Sequence, residues 1–354
     1  MALVLIMGAA LWGIGVMMGA PHRLRWVMIG MLWLAVVALH LVLPDGHPLR
    51  MATGESPALW LMLAGAASLV LAYRAGLRRL RRAVVAKEAA PAQTGTFSNA
   101  ELERYARHII LREIGGPGQK KLKEARVLVI GAGGLGSPAL MYLAASGVGT
   151  IGIIDDDNVD FSNLQRQIIH TDERVYMPKV HSAAEAIGDL NPYVTVRPYQ
   201  RRLNAEMAAD LFAEYDLILD GTDNFDTRYL SNATAHALGK PLISGALSQW
   251  EGQLSVFDTA NGTPCYQCIF AEAPAPGLAP SCAEAGVISP LPGVIGSMMA
   301  AEAVKVITGA GQPLHSEMLI YDALYGETRK FKLSQRADCP VCGTKGDTHE
   351  PVAD

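Results

Sequence analysis

The sequence predicts an α/β fold, a Rossmann-like doubly wound sheet that continues into mixed or antiparallel strands and is preceded by transmembrane helices. Three observations carry this prediction. Residues 1–95 hold three long uncharged stretches. From residue 126, strand-length apolar runs alternate with helix-length segments, and the first junction reads Gly-x-Gly-x-x-Gly at 131–136. From residue 241 the alternation gives way to apolar runs separated by glycine turns, a region that also carries two Cys-x-x-Cys pairs.

Residues 2–20 contain no charge, residues 26–43 have only His40 as a titratable group, and residues 57–73 are again uncharged. Crossing the bilayer core takes about 20 apolar residues, with a lower limit near 17. The first two stretches qualify and the third sits at the limit. A signal peptide is the alternative for the first stretch, disfavoured by the lack of a basic leader and by the apolar segments that follow. Buried core helices are the other alternative. Arg23 and Arg25 separate the first two stretches, and Arg74, Arg78, Arg79, Arg81 and Arg82 follow the third, whereas the 44–56 loop sets Arg50 against Asp45 and Glu55. Basic residues stay on the cytoplasmic side, which gives an external N-terminus, three spans and an internal C-terminus. The arginine run then meets anionic membrane lipid. The expected organisation is a membrane anchor over 1–82, a linker over 83–97, a catalytic domain over 98–346 and a tail over 347–354. The expected location is the inner (cytoplasmic) membrane, with the catalytic domain in the cytoplasm.

The chain has 30 Lys/Arg and 34 Asp/Glu; residues 1–95 hold nine and three of these, leaving 21 and 31, a net −10, for residues 96–354. An acidic catalytic part argues against nucleic acid as a partner, because phosphate backbones select basic surfaces.

Ser98 precedes Glu101 at capping-box spacing, predicting a helix from there to about Glu113. RVLVI at 126–130 reads as a buried strand, followed by a helix over 137–146 and a second strand over 150–155. Helix 179–190, strand 194–199, helix 204–214 and strand 216–220 continue a parallel sheet of the doubly wound type. PLISGAL, GQLSVFD and MLIYDALYGETRKFKL follow as mixed or antiparallel strands.

The glycines Gly131, Gly133 and Gly136 open a helix directly after a strand, where backbone can approach a phosphate and the helix N-terminus favours negative charge. Asp155 ends the second strand 19 residues after Gly136, placed to accept hydrogen bonds from ribose hydroxyls. These features alone indicate a nucleotide, most often NAD, or a glycine turn without ligand. DDDNVDFSNLQRQ at 155–167 and Lys179 shift the reading to ATP. Arg166 and Lys179 suit a triphosphate, which hydride transfer does not need; surface charge is the plain alternative. Asp223 follows a strand end in LILDGTDN, where a carboxylate can hold Mg²⁺ against phosphates or cap a helix over 224–238.

Cys265-x-x-Cys268 and Cys339-x-x-Cys342 lie 70 residues apart. Together they supply four thiolates for a tetrahedral, structural Zn²⁺ that staples the C-terminal part to the domain; each alone also fits a redox pair. Cys282 stands alone in a Pro- and Gly-rich loop, where a thiol is a nucleophile, a resolving group or unreactive.

Taken together, RYARHIILREIG, GAGGLGS, DDDNVDFSNLQRQ, MPKV, LDGTDN, CYQC, SCAEAGV, PLPGVIGSMMAAEAVK and CPVC, in that order over roughly 97–345, resemble the MoeB/ThiF/HesA family of ubiquitin-activating-enzyme relatives, most of all its molybdopterin-synthase adenylyltransferases. The resemblance implies that a carrier's C-terminal Gly-Gly carboxylate attacks the ATP α-phosphate. It implies phosphate contacts from Gly134 and its neighbours, ribose contact from Asp155, triphosphate contacts from Asn163, Arg166 and Lys179, and Mg²⁺ at Asp223, with Ser162, Gln165 and Asn224 also at the nucleotide. Arg107 matches an arginine that reaches the partner subunit's nucleotide, which implies a homodimer. Cys282 matches a position that forms a covalent link in some members and is dispensable in others. A membrane anchor is no part of the family pattern, and sulfur is expected to come from elsewhere. The carrier implied is the molybdopterin-synthase small subunit, with a thiamine-pathway carrier as the alternative. A membrane scaffold that has lost turnover is a different class of reading, opposed by the intact Arg107, Arg166, Lys179 and Asp223; an NAD-linked oxidoreductase is opposed by SNLQRQ and the cysteine pairs.

Overall fold

The computed structural model describes residues 2–54, 56–88, 96–275 and 285–343. The chain divides into two units, Met1–Thr94 and Gly95–Asp354.

In the first unit, α1 (Ala2–Met17), α2 (His22–Val42), α3 (Pro48–Thr53) and α4 (Ala58–Glu88) follow the apolar stretches. α1 stops short of residue 20 because Gly19 turns left-handed, at φ 66°, ahead of Pro21. α2 and residues 60–77 of α4 are long and apolar enough to cross a membrane by length and composition, whereas α1 is shorter. The large side chains of these helices point outward, with Met17, Leu41, Val42 and Leu69 all strongly exposed, while Val4, Val36 and Trp60 form a small interior. The hydroxyl of Thr53 lies 3.0 Å from Nε2 of buried His40 and donates to the Leu49 carbonyl, and the Thr53 carbonyl accepts the Trp60 indole N–H. One change to the expected boundaries stands out: α4 continues through the arginine run to Glu88, into the segment expected as linker. Ala, Leu, Arg, Lys and Glu are good helix formers, and no Gly or Pro interrupts residues 77–88.

The second unit opens with α5 (Asn99–Ile109), whose Ser98–Glu101 capping box is formed in full. α5 ends before Glu113, the chain turns at Gly115 with φ 61°, and a helix that the sequence pattern had not indicated, α6 (Gly115–Glu124), follows. The alternating elements come next: β1 (Arg126–Ile130), α7 (Gly136–Ser146), β2 (Thr150–Ile154), α8 (Lys179–Leu190), β3 (Thr195–Tyr199), α9 (Ala205–Ala213), β4 (Leu217–Asp220), α10 (Phe225–Ala237) and β5 (Leu242–Leu247). β6 (Glu251–Phe257), the one-turn α11 (Tyr266–Ile269), α12 (Pro290–Thr308), β7 (Glu317–Asp322) and β8 (Glu327–Lys332) complete it.

The eight strands form one sheet in the order β3-β2-β1-β4-β5-β6-β7-β8. The first five pair in parallel and the rest antiparallel, so the expected doubly wound half and mixed continuation are one continuous sheet. Alternate residues of β1 feed opposite faces: Val127 and Val129 pack with Leu140, Ile151 and Ile295, while Leu128 and Ile130 pack with Phe212, Tyr215 and Ile218. Burying each such side chain contributes about 1.5–3 kcal/mol. α12 is also apolar enough to span a membrane, yet half of it is buried, and it packs on α7, β5 and β6. It is the central core helix of this unit.

Candidate functional site

A cleft of about 530 Å³ opens at the C-terminal ends of the parallel strands, the end where doubly wound sheets bind ligands. The loop after β1 supplies Gly131, Gly133 and Gly134, the end of β2 supplies Asp155, α8 supplies Lys179, and the loop after β4 supplies Asp223 and Asn224. Each glycine has its own reason. Gly131 has φ 92°, a conformation unfavourable to L side chains. A Cβ at Gly136 would lie 2.0 Å from the Gly131 carbonyl oxygen, whereas one at Gly133 would meet nothing closer than Gln167 Nε2 at 3.5 Å. Gly136 therefore packs helix against strand and does not line the cleft.

The Asp155 carboxylate accepts the Ala132 N–H at Oδ2 and the Asp157 N–H at Oδ1, both at 2.8 Å. Burial pushes its pKa up, against the pull of Lys179 and the two N–H groups. A carboxylate has about four lone-pair sites, so two remain for hydroxyls. Lys179 begins α8 with its side chain 7% exposed, and Nζ lies 2.7 Å from Asp157 Oδ2. Arg166 donates to the Ser162 carbonyl at 3.2 Å and to Asn163 Oδ1 at 3.3 Å, which orients its guanidinium on the cleft wall.

The cleft thus gathers Gly131, Gly133, Gly134, Asp155, Asn163, Arg166, Lys179, Asp223 and Asn224. Ser162 is exposed and its hydroxyl donates to Asp160 instead. Gln165 is exposed, with its carbonyl accepting from Ser289. Arg107 is exposed on α5 and is not part of the cleft wall of its own chain. Cys282 lies outside the described residues. The cap of α10 is Asn224, which accepts from the Thr227 N–H at 2.9 Å, and not Asp223. Asp223 is left at the rim, exposed.

The sequence reading missed Gln167, which stands two residues from the expected Gln165, is buried, and donates to Asn163 Oδ1 at 2.8 Å. The irregular turn over 161–167 decides which glutamine faces inward, and no periodicity encodes it. Arg228 was missed as well. It is buried one turn into α10 and donates to the Thr222 carbonyl, to the Gly245 carbonyl at 2.7 Å and to Ser244 Oγ at 3.1 Å. It ties the loop carrying Asp223 to β5. A cation four residues after the helix cap was the available signal.

Far from this cleft in sequence, Cys265, Cys268, Cys339 and Cys342 converge, all buried, with their sulfurs within 4.8 Å of one another. Sγ separations of 3.9 Å for Cys265–Cys268, 3.5 Å for Cys265–Cys339 and 3.3 Å for Cys268–Cys342 approach the edges of about 3.8 Å of a tetrahedron with Zn–S bonds near 2.3 Å. The Arg336 N–H points at Cys268 Sγ, 3.4 Å away. Burial raises the Cys265 thiol. For Cys339 the same burial is outweighed by the backbone N–H groups of Cys342 and Val341 and by neighbouring thiols, which bring it down to about 7. The donor set is that of a closed four-sulfur metal site.

The ThiF family model matches residues 105–341. The sulfur carrier protein adenylyltransferase of Thermus thermophilus is 48% identical over 260 residues, covering 72% of this chain and 96% of the relative. The SAMP-activating enzyme E1 of Haloferax volcanii is 45% identical over 253 residues, covering 72% and 93%. The probable adenylyltransferase/sulfurtransferase MoeZ of Mycobacterium tuberculosis is 50% identical over 247 residues, and the match spans 69% of this chain but 63% of MoeZ. Among solved structures, Escherichia coli MccB with ATP superposes with a TM-score of 0.58 at 22% identity, covering 68% of this chain and 74% of MccB, a likeness of fold. The order of the motifs, the arrangement of the cleft and the extent of the match lead to one conclusion: the chain belongs to the ThiF family.

Proposed function

We propose that this chain adenylates the C-terminal glycine of a ubiquitin-like sulfur-carrier protein. The observation that carries the reading is the convergence of Arg166, Lys179, Asp155 and Asp223, from four separate segments, on one cleft. In the reaction a carboxylate oxygen of the carrier attacks the α-phosphorus of ATP. The bond to the bridging oxygen breaks, pyrophosphate leaves with the electron pair, and an acyl-adenylate remains. Asp155 holds the ribose through its remaining lone pairs, the glycine loop faces the phosphates, and Arg166 and Lys179 neutralise charge building on the pyrophosphate. Asp223 is the residue to hold Mg²⁺ against the phosphates. Zn²⁺ fits the four thiols and, with no open position, serves structure by tying the 339–342 segment to α11.

The relatives named as a sulfur carrier protein adenylyltransferase and a SAMP-activating enzyme E1 support a sulfur-carrier protein as the substrate, and its Gly-Gly terminus is what the family resemblance implies. The finer reading is the molybdopterin-synthase small subunit, with the thiamine-pathway carrier as the alternative. The exposure of Arg107 on α5 suits a homodimer in which it serves the partner subunit's cleft. α1, α2 and α4 form the anchor in the inner membrane, supported by their apolar exteriors, with the second unit in the cytoplasm, where ATP and a reducing environment are found. The test is ATP–pyrophosphate exchange with purified carriers. Exchange that requires a Gly-Gly carrier is expected, and no exchange with either carrier would sink the reading.

A further inference from the structure

We propose that His170 is a positioning residue for the phosphate-facing backbone of the glycine loop, an inference that rests on the nucleotide reading above. His170 follows SNLQRQII and is 6% exposed. Its ring sits between two elements: Nδ1 lies 2.9 Å from Ser182 Oγ on α8, and Nε2 lies 2.9 Å from the Ala132 carbonyl oxygen. A carbonyl only accepts, so Nε2 carries the proton and Nδ1 accepts the Ser182 hydroxyl. The amide of the same residue is also held, because Ala132 N–H donates to Asp155 Oδ2 at 2.8 Å. Both backbone hydrogen-bonding groups of Ala132 are therefore fixed by side chains.

The consequence falls on the next residue. The Ala132–Gly133 peptide is trans, as are all peptide bonds among the described residues, so the C=O of Ala132 and the N–H of Gly133 point in opposite directions. With the carbonyl turned to His170, the Gly133 N–H points away from that ring, and in a loop that lines the cleft it has no acceptor among the described residues. The Gly133 carbonyl is already occupied by the backbone N–H and the hydroxyl of Ser137. An N–H held open at a helix N-terminus is what a phosphate oxygen binds. Burial, with Lys179 and Arg174 nearby, keeps the imidazole neutral. His170 thus contributes orientation and no charge, and Ser182 fixes the tautomer that provides it.

The experiment uses the full chain in detergent, with ATP binding measured by calorimetry beside exchange kinetics. His170→Phe keeps the ring volume and removes the donor. It should weaken ATP binding by about tenfold, the factor carried by one good hydrogen bond, and leave the KM for the carrier unchanged. His170→Gln restores a donor and should recover most of the loss. Wild-type affinity in His170→Phe overturns the proposal. So does a parallel rise in both KM values that His170→Gln does not repair, since that marks general packing. If His170→Phe does not fold, Ser182→Ala decides: it releases the tautomer and should weaken ATP binding severalfold, and unchanged binding overturns the proposal. A wild-type chain that binds no ATP would instead bring down the nucleotide reading, and this inference with it.

Discussion

Lys179 and Asp157 form a lopsided ion pair: Nζ is 2.7 Å from Oδ2, but the lysine side chain is 7% exposed and the aspartate 65%. The cation is fixed in the cleft wall, while its counter-ion faces solvent and competes with any phosphate for the same ammonium. Asp157→Asn should therefore tighten ATP binding by about threefold, a modest factor because an exposed partner is well screened. Lys179→Ala should lose about 100-fold or more in exchange rate, the usual scale for a group that stabilises developing charge. Calorimetry on both variants checks the pair, and weaker binding in Asp157→Asn would make Asp157 a support for Lys179 instead.

Asp223 is exposed at the rim and caps nothing. Asp223→Ala should leave the melting temperature unchanged within about 1 °C, since surface substitutions typically stay within about 0.5 kcal/mol, and should abolish magnesium-dependent exchange. Exchange at the wild-type rate in a folded variant would remove Asp223 from the site.

Much of this arrangement was legible in the sequence because it is periodic or punctuated. β1 spans Arg126–Ile130 and α8 starts at Lys179, both as read from apolar period and strand-helix alternation. The four cysteines, separated by 70 residues in sequence, meet as their spacing indicated. The illegible parts are aperiodic. The turn over 161–167 exposes Ser162 and Gln165 and buries Gln167, a choice made by hydrogen bonds to Asn163 and Asp160 that leaves no pattern in the sequence. α6, GGPGQKKLKE, has three glycines and a proline in its first four residues and looks like a loop. Tertiary packing of the buried Gln119 and Leu122 overrides that propensity.

The thiol cluster should bind one zinc per chain. Cys339→Ser should lower metal content and melting temperature together, and chelation of the wild type should do the same, because the affinity of a closed site is folding free energy. Metal analysis of reduced protein that finds no zinc would refute the assignment.

His170 should also leave a mark on stability. Its pKa is lowered by burial from 6.5, so between the folded and unfolded values the unfolded chain binds more protons. Stability then rises with pH across that window and is lost as the pH falls below about 6.5. Asp155, raised from 3.8 by burial, contributes a slope of opposite sign that both proteins share. The difference between wild type and His170→Gln isolates the histidine: the variant's melting temperature should fall less on acidification. Identical pH profiles would mean that the ring is not held neutral.

The anchor should be separable from catalysis. A truncation starting at Gly95 begins at the boundary between the two units and keeps the Ser98 cap, Arg107 and every cleft residue. It should be soluble and exchange-competent, and a reporter fused to the full chain's C-terminus should report the cytoplasm. A reporter active only in the periplasm would reverse the topology, and a folded but inactive truncation would make the anchor part of the enzyme.

The close approach at Gly136 also bears on how this loop can evolve. Position 136 has an alphabet of one letter, because any Cβ would stand 2.0 Å from the Gly131 carbonyl oxygen. At position 133 a Cβ would make only ordinary contact, 3.5 Å from Gln167 Nε2, so alanine fits there until a phosphate has to approach. In a library of random variants screened first for folding and then for nucleotide binding, residue 136 would be purged to glycine in the first round. Residue 133 would admit alanine until the second. Two glycines three positions apart thus record two different selections, one for a packed sheet and one for a substrate.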